Sequence, residues 1–335
     1  MSDESCDFNL TKETKDFLLF LKNANLPPIE TVEPSIARIQ YEALIKLVGG
    51  YPVPIEHVRN LTINSLSSNR KIPLRIYAPS HKKGLPSLVY YHGGGWVKGN
   101  HYTHDRMCRK LAVETQAVVI SVEYALSPEN KFPAAIEDAY DSLLWAIKNI
   151  HGYNGDSQRI AVIGDSSGGN IAAVIAHMAA KNELQEVQLQ VLLYPVIDCA
   201  CNTPSYTTFE NGFMLTKKSM EYYIDSYLED ANLITNPQVS PLHFPFNEQL
   251  APAIIITAEA DPLRDEARLY ADRLAQKDLL IQYNCYPGVI HAFMQLPGVF
   301  PEADRSLVQT AGLIRSVFET PARQLTLPQT LLPHL

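Results

Sequence analysis

Six short apolar runs recur along this chain: Ser87 to Tyr91, Ala117 to Val122, Ile160 to Gly164, Leu189 to Tyr194, Ala253 to Ala258 and Ile281 to Cys285. A strand with one wet face alternates apolar and polar side chains. A short run without alternation reads as a strand covered on both faces. Between and after the runs lie stretches with helical spacing, Ala134 to Lys148, Asn170 to Lys181, Glu266 to Gln276 and Pro301 to Phe318. Strands alternating with helices predict an α/β protein with a mostly parallel sheet sandwiched between helices, and right-handed crossovers fix most of its topology. Upstream, Val58 to Pro79 alternates about Ser67-Ser68-Asn69 and reads as an antiparallel hairpin, preceded by two helical stretches, Lys12 to Asn23 and Ser35 to Lys46.

One connection exceeds what a crossover needs. From Asp198 to Glu248 the chain runs for about fifty residues, with an amphipathic stretch from Lys217 to Leu228, where a dozen or so suffice. An insertion at the C-terminal end of a strand lies over the place where open α/β sheets bind ligands. With the N-terminal helices it is expected to form a cap. The predicted division is therefore cap helices over 1–50, sheet core over 51–198, cap insertion over 199–248, core again over 249–319, and an extended or disordered tail over 320–335.

Charge and composition remove several function classes. The net charge of −8 among 335 residues, with no clustered Lys and Arg, argues against a nucleic-acid surface. No apolar run approaches the length of a membrane span. The polar, acidic start lacks the basic and apolar regions of an export signal, so a cytoplasmic location is expected. The odd, scattered cysteines, Cys6, Cys108, Cys199, Cys201 and Cys285, suggest neither a disulfide framework nor a zinc site. Self-association is compatible with all of this.

Two motifs carry chemistry. Gly164-Asp165-Ser166-Ser167-Gly168-Gly169 joins the run ending at Gly164 to the helical stretch beginning near Asn170, the strand-turn-helix context of a nucleophile elbow. Small residues are needed at 164 and 168 because the serine sits on a tight turn. His92-Gly93-Gly94-Gly95-Trp96 directly follows another strand. Its glycines let backbone N–H groups face outward, and acyl transfer needs such donors where negative charge develops on the carbonyl oxygen. The N–H groups of Gly94, Gly95 and Ser167 are the expected oxyanion hole.

A serine hydroxyl needs a base, and the base a carboxylate, in the chain order Ser, acid, His. His291, just past the last strand, meets that order, whereas His177 lies on the helix after the elbow, His243 in the insertion and His334 in the tail. The acid is expected at Asp261, with Glu259 and Asp265 as alternatives; Asp265 is better placed to cap the next helix. His101-Tyr102-Thr103-His104-Asp105 reads as a polar loop near the cap. Neither metal nor cofactor is expected. Phe209, Phe213, Met214, Tyr222 and Tyr223 could line an apolar acyl pocket or simply pack the cap.

Together these motifs, with Glu123-Tyr124-Ala125-Leu126-Ser127-Pro128-Glu129, Phe132-Pro133-Ala134-Ala135, Asp261-Pro262-Leu263-Arg264-Asp265-Glu266 and His291-Ala292-Phe293, resemble the hormone-sensitive-lipase family of esterases over roughly Val58 to Phe318. The resemblance implies an α/β-hydrolase fold, a cap of N-terminal helices plus an inserted segment, and hydrolysis of short- or medium-chain acyl esters without a cofactor. The family usually has Arg at Ala125, and Ala at Ser127 and Ser167. An amidase or deacetylase using the same triad, and a ligand-binding protein of the same fold without turnover, are the other readings.

Overall fold

The computed structural model describes residues 9–319; the expected tail over 320–335 lies outside the described residues. Eight strands form one sheet in the order β1-β2-β4-β3-β5-β6-β7-β8. They are β1 His57–Asn64, β2 Lys71–Ala78, β3 Leu85–Tyr91, β4 Val118–Val122, β5 Gly155–Asp165, β6 Val187–Leu193, β7 Ala253–Ala260 and β8 Leu280–Ile290. The six apolar runs are the parallel strands β3 to β8. The expected hairpin is β1 and β2, which joins the sheet antiparallel to β4.

Burial on both faces is visible residue by residue. In β3, Val89 and Tyr91 enter one core with α4 Ala134–Asn149, α5 Ser167–Lys181 and α8 Arg264–Ala275. Leu88 and Tyr90 enter the opposite core with α3 Asp105–Thr115 and α9 Pro301–Glu319. The edge strand β1 is mostly exposed, which is why only the hairpin alternates. The helix α3 was absent from the sequence reading. Its stripe of Met107, Cys108, Leu111, Ala112 and Thr115 is helical, but the charged residues between obscure it.

Two N-terminal helices lie beside the C-terminal ends of the parallel strands. The first, α1 Lys12–Ala24, starts on Thr11, whose side chain accepts from Thr14 N–H, a cap worth about 1 kcal/mol. It is tied to the end of β8, because Thr11 N–H and the Thr14 hydroxyl both donate to Gly288 O at 3.0 and 2.7 Å. The second, α2 Pro34–Val48, is held at one end by Arg38, which donates to Val97 O and Ser127 O and forks onto Glu129 at 2.8 and 2.7 Å. At its other end Val48 O accepts from Gly298 N–H.

The long connection between β6 and β7 holds α6 Pro204–Thr208 and α7 Lys217–Tyr227. A capping box of Thr216 and Ser219 starts α7. Its end docks through Tyr227, which stacks on Trp96 with ring centroids 4.4 Å apart and planes within 3°. Both rings are fully buried. Burying side chains of this size stabilises by about 1.5–3 kcal/mol each, and the ring pair adds about 0.5–1.5 kcal/mol. Among the described residues no helix is long and apolar enough to cross a membrane.

Candidate active site

The candidate nucleophile sits where β5 turns into α5. Ser166 has φ 55° and ψ −121°, a conformation that costs a side-chain-bearing residue about 1–3 kcal/mol and persists only where the surroundings impose it. Glycine neighbours make the turn feasible. A Cβ on Gly164 would lie 2.2 Å from Gly168 O, and one on Gly168 would lie 2.0 Å from Tyr91 O. The helix begins at Ser167, three residues before the sequence reading put it, because Gly168 and Gly169 weaken helical propensity while close packing against β3 and Pro195 requires them.

The candidate base and acid follow the neighbouring strands. His291 lies just beyond β8, with Nε2 2.9 Å from Ser166 Oγ and Nδ1 2.7 Å from Asp261 Oδ2. Asp261 follows β7, is fully buried, and uses its other oxygen to accept from Leu263 N–H at 2.9 Å. A carboxylate can only accept, so Nδ1 carries the proton and Nε2 presents a lone pair to the serine hydroxyl.

The other two acids are engaged elsewhere. Glu259 accepts from Gly288 N–H at 2.7 Å. Asp265 accepts from Ser205 N–H and pairs with Arg264. It lies within the first turn of α8, whose N-cap is Leu263, so the expected capping role is corrected: the helix starts two residues earlier than Asp265 could cap.

The glycine loop is clamped to the elbow. Gly93 N–H donates to Asp165 Oδ1 at 2.8 Å, and Trp96 N–H donates to the Ser167 hydroxyl at 3.2 Å. Alanine, usual at position 167 in the resembled family, could not accept that second bond. Among the described residues no acceptor is recorded for Gly94 N–H, Gly95 N–H or Ser167 N–H. Gly95 has φ +63°, and a Cβ there would fall 2.4 Å from the Tyr223 ring of α7. Gly95→Ala should therefore lower kcat by about 10² to 10³, the loss typical of one misplaced oxyanion donor. Gly84→Ala is the control, with φ +69° and open space around its Cβ: it should lose stability and keep its turnover.

Beneath the loop lies a buried polar network. His101 and His104 lie, as expected, in a turn beside the N-terminal helix α2, but both side chains are buried there. His101 meets Ser121 and Glu123 at 3.0 and 3.1 Å. His104 Nε2 lies 3.3 Å from Asp165 Oδ2, and Tyr90 donates to Asp165 Oδ1 at 2.6 Å. Burial alone would raise the Asp165 carboxyl, but His104 and the Tyr90 hydroxyl outweigh it and hold it down at about 2. Burial, reinforced by His104, pushes His92 the other way, to about 3. A neutral His92 then stacks on Tyr124 at 4.3 Å behind the loop.

The cap aromatics divide by position. Phe209 is fully buried against Phe213, with the Arg264 guanidinium over its ring, so it packs and offers no open wall. Phe213 and Met214 are half-buried beside the same core, and half-buried Tyr222 touches Tyr223 at 5.6 Å. Tyr223 lies directly over Gly95 of the glycine loop, beside the Tyr227 ring stacked on Trp96. Sequence reasoning missed Tyr41 of α2, which with Tyr223 flanks the Lys98 ammonium at 4.8 and 5.5 Å. A tyrosine on a helix face carries no local sign of such a role.

Glu266, on α8, braces the loop after β6 by accepting from Ile197 and Asp198 N–H at 2.7 and 3.3 Å. Burial pushes its carboxyl well above the usual carboxylate range against the pull of those donors. A raised folded-state value gives stability that is present below the unfolded value near 4.5 and is lost as pH rises toward the folded one. Neutral Gln has no such dependence. The thermal midpoint of Glu266→Gln relative to wild type should therefore climb as pH rises above the ordinary carboxylate value.

A family model described as the alpha/beta hydrolase fold matches residues 88–295. An ethyl acetate hydrolase of Pseudomonas putida is 34% identical over 292 residues, covering 86% of this chain and 92% of the relative. An arylesterase of Saccharolobus solfataricus is 30% identical over 312 residues, covering 92% and 99%. A hyperthermophilic esterase of Pyrobaculum calidifontis superimposes with a TM-score of 0.85 at 36% identity, covering 93% and 99%. Matched by that family model over most of its length, and at 30–36% identity by esterases covered nearly end to end, the chain belongs to the hormone-sensitive-lipase-like carboxylesterases of the α/β-hydrolase fold.

Proposed function

We propose that this carboxylesterase hydrolyses short- to medium-chain acyl esters in two steps through Ser166, His291 and Asp261. The observation that carries the reading is the unbroken chain from Ser166 Oγ to His291 at 2.9 Å and on to Asp261 at 2.7 Å. His291 Nε2 takes the hydroxyl proton as Oγ bonds to the ester carbonyl carbon, and the oxyanion is met by Gly94, Gly95 and Ser167 N–H. The bond from the former carbonyl carbon to the leaving oxygen then breaks, the imidazolium gives its proton to that oxygen, and the alcohol departs while the acyl group stays on Ser166 Oγ. Water, deprotonated by the same histidine, then releases the acid and restores the serine.

The name of one relative, ethyl acetate hydrolase, supports a small acyl group. The N-terminal helices and the 199–248 insertion serve as the cap, with Tyr223 against the loop and Phe213, Met214 and Tyr222 at the acyl side, while Phe209 supports them from below. The free thiols Cys108, Cys199, Cys201 and Cys285 suit a reducing cytoplasm.

A p-nitrophenyl ester series of rising chain length, run beside matched anilides, tests the assignment. Turnover highest on the short esters and low on the anilides is expected. Faster anilide cleavage would instead make the protein an amidase. A fluorophosphonate that fails to label Ser166 stoichiometrically would leave the ligand-binding reading standing.

A further inference from the structure

At the far end of the sheet, Glu56, His57 and His81 turn their ligand atoms toward one another. Glu56 and His57 lead into the edge strand β1, and His81 lies just past the end of β2; pairing of His57 with Ala78 brings them together. His57 Nε2 and His81 Nε2 are 3.1 Å apart, and Glu56 Oε1 is 3.2 Å from His81 Nε2 and 3.7 Å from His57 Nε2. A single shared proton would account for the first distance. A single cation would account for all three, the carboxylate oxygen closing the triangle on the same two nitrogens.

Four ligands around Zn²⁺ at 2.0–2.1 Å stand about 3.3 Å from each other, so the three separations approximate one face of a tetrahedron. We propose that Glu56, His57 and His81 bind a late first-row divalent cation of the Zn²⁺ class, with water completing its coordination.

The donor set decides the class. Two imidazoles and one carboxylate suit Zn²⁺ and its neighbours, whereas Ca²⁺ and Mg²⁺ prefer all-oxygen sites. Partial exposure, 46% for the Glu56 side chain and 77% for His81, leaves the fourth position open to solvent. Location decides the role. β2 runs antiparallel to β4, so its end at Ala78 lies at the opposite edge of the sheet from Ser166 and His291. Ser80 O there accepts from Asn154, just before β5 begins. The ion would clip the otherwise exposed edge strand to the end of its neighbour, stabilising the fold and taking no part in ester hydrolysis.

The test is calorimetric titration of untagged, chelator-treated full-length protein with Zn²⁺, together with thermal melts and p-nitrophenyl butyrate turnover. Wild type should take up one ion, and its unfolding midpoint should rise with Zn²⁺ concentration. His81→Ala and the milder Glu56→Gln should each bind at least about tenfold more weakly, since even outer-sphere changes cost that much at metal sites. Both variants should lose the zinc-dependent shift in midpoint and keep wild-type turnover, which also shows that they fold. Absence of uptake by wild type, or equal affinity in wild type and both variants, would overturn the site.

Discussion

Ser166→Ala will lower kcat on a short p-nitrophenyl ester by about 10⁶, leaving the residual rate that a glycine loop and binding alone sustain. The substitution removes the oxygen that His291 Nε2 faces at 2.9 Å, and among the described residues no other hydrogen bond uses that oxygen. The backbone bonds of the elbow, Ser166 N–H to Leu193 O and Asn170 and Val196 N–H to Ser166 O, are untouched. Alanine meets the same positive φ as serine, so the strain is unchanged and the melting temperature should stay where it was. Steady-state kinetics with active-site titration checks this. A variant retaining wild-type turnover would show that acyl transfer runs through a different group.

Asp261→Asn should cost about 10⁴ in kcat with KM little altered. The amide keeps the shape of the carboxylate and can still accept from Leu263 N–H through one oxygen. Toward His291, however, it can present an N–H. Nδ1 then becomes the acceptor and the proton moves to Nε2, where it faces the serine hydroxyl that needs a lone pair. Loss of kcat without loss of fold is the signature. NMR of the imidazole protons in the resting enzyme should show the proton shifted from Nδ1 to Nε2. A variant with normal kcat would mean that the imidazole is oriented by something other than Asp261.

How much was legible depends on whether a role is local. The elbow and the triple-glycine segment read directly, because each demands particular residue types at contiguous positions. The turn needs glycine at 164 and 168 wherever it occurs. His291 was separable from the other histidines by chain order and by its place after a strand. Asp261 could not be separated from Glu259 and Asp265 so cleanly. Three acids within seven residues look alike until the fold commits Glu259 to Gly288 and Asp265 to Ser205.

The burial of His101 and His104 was not legible for a related reason. Polar residues in sequence imply solvent, whereas these are satisfied by Ser121, Glu123 and Asp165, which lie 20, 22 and 61 positions away in the chain. The Glu56, His57 and His81 cluster was invisible because no spacing rule spans the turn between paired strands. Equally, nothing near Ser167 revealed that its hydroxyl would accept from Trp96 across the site.

Sequence alone determined the class of fold and the kind of reaction, since hydrophobic period sets which segments are covered strands and backbone sterics set where a serine can be held on an elbow. Tertiary structure decided which carboxylate serves the histidine, which cap ring lies on the glycine loop, and which polar side chains are buried or paired. These are contacts between segments distant along the chain. Their distances depend on the crossing and twist of eight strands together, and no local pattern of residues encodes them.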